Sequence, residues 1–156
     1  FLPFIDELKL PKQAVIDLIE GLLQDQKQVL LKSEAELIQY SYHVAGTVGW
    51  MMCPVLKCKN NNAFEFALDL GIAMQLTNIA RDVYEDACMG RRYLPSNWVN
   101  NLSQSQIVEA ATDPNSKNAA VINHVLVISI SSKRNQIWEH PLMMSDFWGC
   151  WRGQAK

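Results

Sequence analysis

An all-α fold is predicted by two features of this sequence. Apolar residues recur at helical spacing along almost its whole length, and only seven glycines and six prolines interrupt its 156 residues. No strand-like alternation competes, apart from a β-branched run over residues 121–130. At 49% hydrophobic residues the chain can bury a core, so a globular domain is expected rather than a disordered segment.

The elements follow in order. Val15, Leu18, Ile19, Leu22, Leu23 and Val29 form one apolar stripe and Pro11 suits a first helical turn, so a helix is predicted from residue 11 to about residue 31. Ser33 followed by Glu36 is a capping-box pattern for a second helix, from Glu34 until Pro54. Ala45, Gly46 and Gly49 lie inside it; glycine weakens a helix, so these small residues predict close approach by a neighbour. Asn62 and Glu65 cap a third helix, from Ala63 to about Glu85. The stretch CMGRRYLPSNW, with Gly90, Pro95 and Asn97, reads as an ordered loop. Ser103 and Gln106 open a short helix to about Ala111, and Asp113-Pro114 begins another to about Ile130.

After Ser131 the helical period is lost while three of the five tryptophans appear (Trp138, Trp148, Trp151). This fits a disordered end, a partner-binding tail or a non-native terminus from a shifted reading frame, the last being favoured because large aromatics without periodicity are unusual in a solvated tail. Residues 1–130 are thus expected to form part of one domain, and 131–156 an atypical tail.

Charge and cysteine content narrow the function. Fourteen basic and sixteen acidic residues give a net charge of −2, with no electrostatic footprint for nucleic acid. Cys53, Cys58, Cys88 and Cys150 form no CxxC pair and have no histidine at zinc-finger spacing, which predicts reduced thiols in a cytoplasmic protein. His43 is expected to be a hydrogen-bonded core histidine, and Asp25 a solvated helix residue. No apolar run reaches membrane-spanning length.

The third helix carries the chemistry. With about 100° per residue, Asn78, Asp82 and Asp86 fall in the same sector as Gln75 and Gly71. Leu70 and Met74 flank that sector on one side; Ile72, Leu76, Ile79 and Val83 flank it on the other. An acidic i, i+4 pair is most simply a solvated face, and such a pair repels by a few tenths of a kcal/mol on an exposed helix. Here it has amides on the same stripe, Arg81 and Glu85 beside it, and GRRYLP just after it, where Arg91 or Arg92 could grip phosphate bidentately. A hard divalent cation between Asp82 and Asp86 would relieve the repulsion.

These residues carry a resemblance. DLGIAMQLTNIARDVYEDACMGRRYLP, residues 69–95, is similar to the second aspartate-rich motif of the squalene and phytoene synthases. YSYHVAGTVG, residues 40–49, resembles that family's YCxxVAG segment, with Ser41 where cysteine is usual, and IEGLLQD, residues 19–25, is similar to the stretch just before it. The likeness covers about residues 10–112 and is nearest to the bacterial phytoene synthases.

The resemblance implies an isoprenoid-synthase-type helical bundle around a central apolar cavity. The implied reaction is a magnesium-dependent, head-to-head condensation of two prenyl diphosphates through a cyclopropylcarbinyl diphosphate, giving phytoene from geranylgeranyl diphosphate. A squalene-type product from farnesyl diphosphate, with NADPH as reductant, is the alternative within the family; a non-catalytic assembly protein of the same fold is the alternative outside it.

Carried over by position, Asp82 and Asp86 would bind Mg²⁺, with Mn²⁺ as a substitute. Gln75 and Asn78 would line the same site, and Arg81 and Arg91 would contact diphosphate. Tyr40 would act in the reaction, with Tyr42 the weaker choice, while Ala45, Gly46 and Val48 would pack helices and shape the prenyl channel. A cytoplasmic location is implied, compatible with peripheral association at the inner membrane face. The family has two aspartate-rich motifs on facing helices, and Asp82/Asp86 is the sole DxxxD here. The chain is therefore expected to be a central fragment, inactive or nearly so by itself and prone to aggregate.

Overall fold

A computed structural model describes residues 2–60 and 62–123 of the chain. It contains α1 (Leu2–Glu7), α2 (Lys12–Gln24), α3 (Glu34–Ser41), a π turn (Tyr42–Gly46), α4 (Thr47–Val55), α5 (Asn62–Arg81), α6 (Val83–Cys88) and α7 (Gln104–Thr112), with helix resuming at residues 119–123. Among the described residues the only extended pairing is an isolated parallel bridge between Leu30 and Arg92. The all-α class is as predicted. The tail 131–156, His124, His140 and Cys150 lie outside the described residues.

Local chemistry explains most of the boundaries. Ser103 Oγ accepts from the Gln106 N–H while the Gln106 side chain accepts from the Ser103 N–H, a complete capping box for α7. At α3 the box is only half made: Ser33 Oγ accepts from Glu36 N–H, but Glu36 takes the Lys32 N–H instead. At α5 the accepting side chain is that of Asn60, which receives the Asn62 N–H. The predicted second helix is continuous in space but passes through the π turn, where the Thr47 N–H reaches back to the Tyr42 carbonyl.

Three expectations need correction. Helix α1 was not foreseen. Helix α2 stops at Gln24 rather than near residue 31, because residues 29–31 turn aside to pair with the loop after α6. Arg92 N–H donates to Val29 O (2.9 Å), Leu31 N–H to Arg92 O (3.2 Å) and Ser96 N–H to Leu31 O (3.0 Å). And the stripe expected to bury α2 splits. Val15 is buried with Ala14 and Gly21, while Ile19, Leu22 and Leu23 are exposed among the described residues. The inward face is chosen by small size: a Cβ on Gly21 would lie 2.8 Å from His43 Cβ, so α2 crosses the π turn at glycine.

The main core lies between α3, the C-terminal half of α5, α6, the following loop and α7, centred on Leu37, Leu76, Ile79, Leu94, Val99 and Ile107. Ser41 is fully buried and its hydroxyl has no partner among the described residues. A cysteine there would bury a weaker hydrogen-bonding group at lower desolvation cost.

Helices α4 and α5 pack antiparallel through glycine. A Cβ on Gly49 would fall 2.0 Å from the Ala67 carbonyl oxygen, and one on Gly71 2.3 Å from the Ala45 carbonyl oxygen. The predicted close approach is thus made by Gly49 and Gly71, with Gly46 packed on Ile72. Two effects oppose each other at Gly49. In a helix interior, alanine is favoured over glycine by about 1 kcal/mol. Here the added methyl would strike backbone that cannot move alone, and overpacking of that kind costs about 1–3 kcal/mol or more. Sterics wins, so Gly49→Ala is expected to lower stability by about 2 kcal/mol in urea melts, whereas propensity alone would raise it.

Candidate active site

The polar stripe of α5 meets the loops at one end of the bundle. Helix α5 is interrupted at Asp82 (φ −101°, ψ 17°), although the hydrogen-bond ladder continues on both sides: Asp82 N–H donates to Asn78 O and Asp86 N–H to Asp82 O. Beyond α6 the chain turns through Gly90, at φ +76°, a value open to glycine without strain. Gly90 N–H donates to Ala87 O and Arg91 N–H to Asp86 O, the paired bonds of a Schellman motif. This turn sets Arg91 beside Asp86 and sends Tyr93 back into the core.

The predicted residues do not all converge. Gln75 and Asn78 line an apolar groove of about 290 Å³ between α4 and α5, with Val44, Val48, Met52, Leu70 and Met74 among its walls. Asp82 forms a bidentate pair with its own neighbour: Arg81 Nε and Nη2 each donate to it at 2.6 Å, and this holds its carboxyl below the usual range. Asp86 is half-buried against Ile79, Val83, Arg91 and Tyr93. Burial raises its pKa first, then the negative charges of Asp82, Asp25 and Glu85, with Arg91 opposing.

Sequence reasoning missed the hub of the site. Asp25, expected to be solvated, is half-buried and accepts from Tyr93 Oη at 2.6 Å and Tyr40 Oη at 3.2 Å. The two rings lie 4.9 Å apart, centroid to centroid. Burial above all, then the pairing with Asp25, pushes Tyr93 up to about 12, and desolvation pushes Tyr40 higher still. Both therefore stay neutral phenols at physiological pH, serving as donors and aromatic faces, not bases. Asp25 caps the C-terminus of α2, an end set by the fold and not by the sequence pattern, where the helix dipole disfavours a carboxylate and no basic residue in the last turn compensates.

Tyr42 and Arg92 have structural work instead. Tyr42 Oη donates to Asp17 Oδ2 (2.6 Å), tying the π turn to α2. The Arg92 guanidinium donates to Leu102 O (2.8 Å), Ser96 Oγ (2.6 Å) and Leu31 O (3.4 Å), so it grips protein acceptors, not phosphate. His43 differs from expectation too, since its buried Nδ1 has no partner among the described residues.

The donor set fits a hard divalent cation. Asp86 sits in an excess of negative charge, and Asp82 and Asp86 offer carboxylate oxygens one turn apart. No group of three or more His, Cys, Asp or Glu among the described residues could hold an ion. Asp82 and Asp86 are the residues that would hold Mg²⁺, which keeps water and phosphate oxygens in its shell and takes only one or two carboxylates from protein.

Two outcomes are expected. Asp86→Asn removes a crowded, partly desolvated charge, so its melting temperature at pH 7 without metal exceeds that of the wild type, while any rise produced by millimolar MgCl₂ is lost; an unchanged response to Mg²⁺ would remove Asp86 from the metal site. Tyr42→Phe lowers stability at pH 7 by about 1 kcal/mol, the scale of a surface hydrogen bond to a charged group. The Tyr42 hydroxyl, with Gln13 assisting, depresses the Asp17 pKa. A depressed carboxylate stabilises the fold above its unfolded value near 4 and loses that contribution as pH falls through the folded value. The gap between wild type and Tyr42→Phe in urea melts should accordingly close as the pH falls below about 4.

Residues 1–128 match the family model described as squalene/phytoene synthase. The chain is similar to the 15-cis-phytoene synthase of Paracoccus sp., 46% identical over 89 residues that make up 57% of this chain and 29% of that protein. It is also similar to the phytoene synthase of Rhodobacter capsulatus, 38% identical over 114 residues, 73% of this chain and 31% of that one. Chloroplastic phytoene synthase 1 of Zea mays is 48% identical over 85 residues, 51% and 21% of the two chains. The chain thus spans less than a third of the length of each of these relatives. The crystal structure of squalene synthase HpnC from Alicyclobacillus acidocaldarius superposes with a TM-score of 0.64 at 21% identity, over 97% of this chain and 59% of that one, and supports the fold. With that match across residues 1–128 and that helical architecture, the chain belongs to the squalene/phytoene synthase family.

Proposed function

We propose that the protein to which this chain belongs condenses two prenyl diphosphates head to head, joining two geranylgeranyl groups into phytoene in isoprenoid and carotenoid biosynthesis. The observation that carries this reading is the α4–α5 groove: an apolar trough ending at Gln75 and Asn78, one turn before the carboxylate of Asp82 and two before that of Asp86. Such a trough suits a long hydrocarbon with an anionic head.

In this reading Asp82 and Asp86 hold Mg²⁺, which when bound would neutralise charge on the departing diphosphate. Arg81 leaves Asp82 for a diphosphate oxygen, and Arg91, beside Asp86, takes another. Gln75 and Asn78 orient the head by hydrogen bonds. Tyr40 and Tyr93, fixed by Asp25, present neutral hydroxyls and ring faces to the allylic cation. Groove walls of valine, leucine and methionine keep water from it. The first coupling releases diphosphate and a proton and gives a cyclopropylcarbinyl diphosphate, whose ionisation, rearrangement and loss of a second proton give phytoene. Farnesyl diphosphate, with NADPH for a squalene-type product, is the second reading within the same chemistry. No helix among the described residues is long and apolar enough to cross a membrane. We place the protein on the cytoplasmic side, meeting the inner membrane peripherally.

The test is product analysis with geranylgeranyl and farnesyl diphosphates plus MgCl₂, on this chain and on a form extended at its N-terminus to carry a second DxxxD. The extended form is expected to make phytoene, this chain little or none, and Asp82→Ala to reduce turnover by at least about 100-fold, the scale of losing one electrostatic stabiliser. A folded extended form that consumes neither diphosphate would move the non-catalytic reading to first place.

A further inference from the structure

The groove has two unlike ends. One opens at Gln75 and Asn78, toward the carboxylates. The other is found from the helix register. Gly71 abuts Ala45 and Gly49 abuts Ala67, so α4 runs antiparallel to α5 and Met52, one turn past Gly49, lies beyond Ala67. There the helices close on each other. Cys53 is fully buried with its Sγ 3.5 Å from the Ala63 carbonyl oxygen, and Cys53, Ala63 and Ala67 pack together with Phe64. The lining of the trough ends there, at Met52 on α4 and Ala67 on α5. Its α5 lining runs from Ala67 to Asn78, about 16 Å at 1.5 Å per residue.

A tail laid in this trough with its head at Asn78 brings its last isoprene unit to Met52. That side chain is 40% exposed, so it stands at the end of the lining without belonging to the packed cluster beside it. Methionine, unbranched and with three rotatable bonds, can swing to admit or exclude a few carbons. Glycine and alanine on the trough floor cannot, since they are fixed by backbone contact.

Resting on the prenyl diphosphate reading above, we propose that Met52 sets the length of prenyl tail this protein accepts, as the movable wall at the far end of the α4–α5 groove. Its exposure allows substitution without breaking the core.

The experiment measures binding, not turnover. The form extended at its N-terminus to carry a second DxxxD, with MgCl₂, is titrated by calorimetry with unreactive thiodiphosphate analogues of the fifteen-carbon farnesyl, the twenty-carbon geranylgeranyl and a twenty-five-carbon prenyl group, as wild type, Met52→Trp and Met52→Ala. Thermal melts establish that each variant is folded. Met52→Trp is expected to weaken the twenty-carbon analogue at least about tenfold more than the fifteen-carbon one, the effect of a few methylenes in an apolar pocket. Met52→Ala is expected to improve binding of a twenty-five-carbon analogue several-fold relative to the twenty-carbon one. If wild type binds both analogues and neither variant changes their ratio, Met52 does not gauge length and the inference falls alone. If wild type binds neither, the prenyl reading and this inference fall together.

Discussion

The candidate site depends on the guanidinium of Arg92. It joins the loop after α2 to the loop after α6 through Leu31 O, Ser96 Oγ and Leu102 O, partners that are 61, 4 and 10 residues away in sequence. The backbone pairs of Val29, Leu31 and Ser96 run alongside. An uncompensated buried carbonyl costs about 1–3 kcal/mol, and loss of this side chain would leave Leu102 O in that deficit, while Leu31 O would keep its Ser96 donors. Lysine could not replace it, because one ammonium cannot span acceptors spread around a planar fork. With the two loops joined, Asp25 at the end of α2 comes within hydrogen-bond reach of Tyr93, 68 residues later, and Tyr40 completes the triad. The arginine that looked like a phosphate ligand is the fastener for this triad.

A second constraint forms the groove. Gly49 and Gly71 let α4 and α5 approach until side-chain space between their backbones vanishes. Larger residues at neighbouring positions, Val48, Met52, Leu70 and Met74, are then left standing on either side of a floor of small ones. The contact that locks the helices together thereby produces the trough between them. Its walls are unusually open for a core: Met74 is 61% exposed and Val48 41%. For a solvated surface that is a liability, whereas for the hydrocarbon site proposed above it would be the required chemistry.

How much of this was legible from sequence follows from the range of each interaction. Periodicity and caps are local, so the all-α class, the α7 capping box and the small-residue contact could be read directly. The polar stripe was also legible as far as Gln75 and Asn78, which do line the groove. Helix α2 was drawn too long because QDQKQVLL contains good helix formers, and intrinsic propensity of a few tenths of a kcal/mol per residue yields to pairing with Arg92. Asp25 and Tyr93 stayed hidden because their partnership is a single long-range hydrogen bond. Their roles depend on a fold, not a spacing. Nothing in the Arg81-Asp82 step signals a helix interruption, since neither glycine nor proline is present.

That interruption matters for the charge balance. On an undistorted helix Asp82 and Asp86 would share one face and one environment. At the kink they differ: Asp82 lies with the Arg81 fork closed over it, whereas Asp86 is half-buried near three other carboxylates with Arg91 as its opposing charge. One carboxylate is thus compensated by a group that can leave, and the other is under-compensated. In the reading proposed above, Asp82 and Asp86 would hold the cation together, and the Arg81 guanidinium, released from Asp82, would be free to meet a diphosphate oxygen. The unequal compensation of the two carboxylates is the feature that this reading uses.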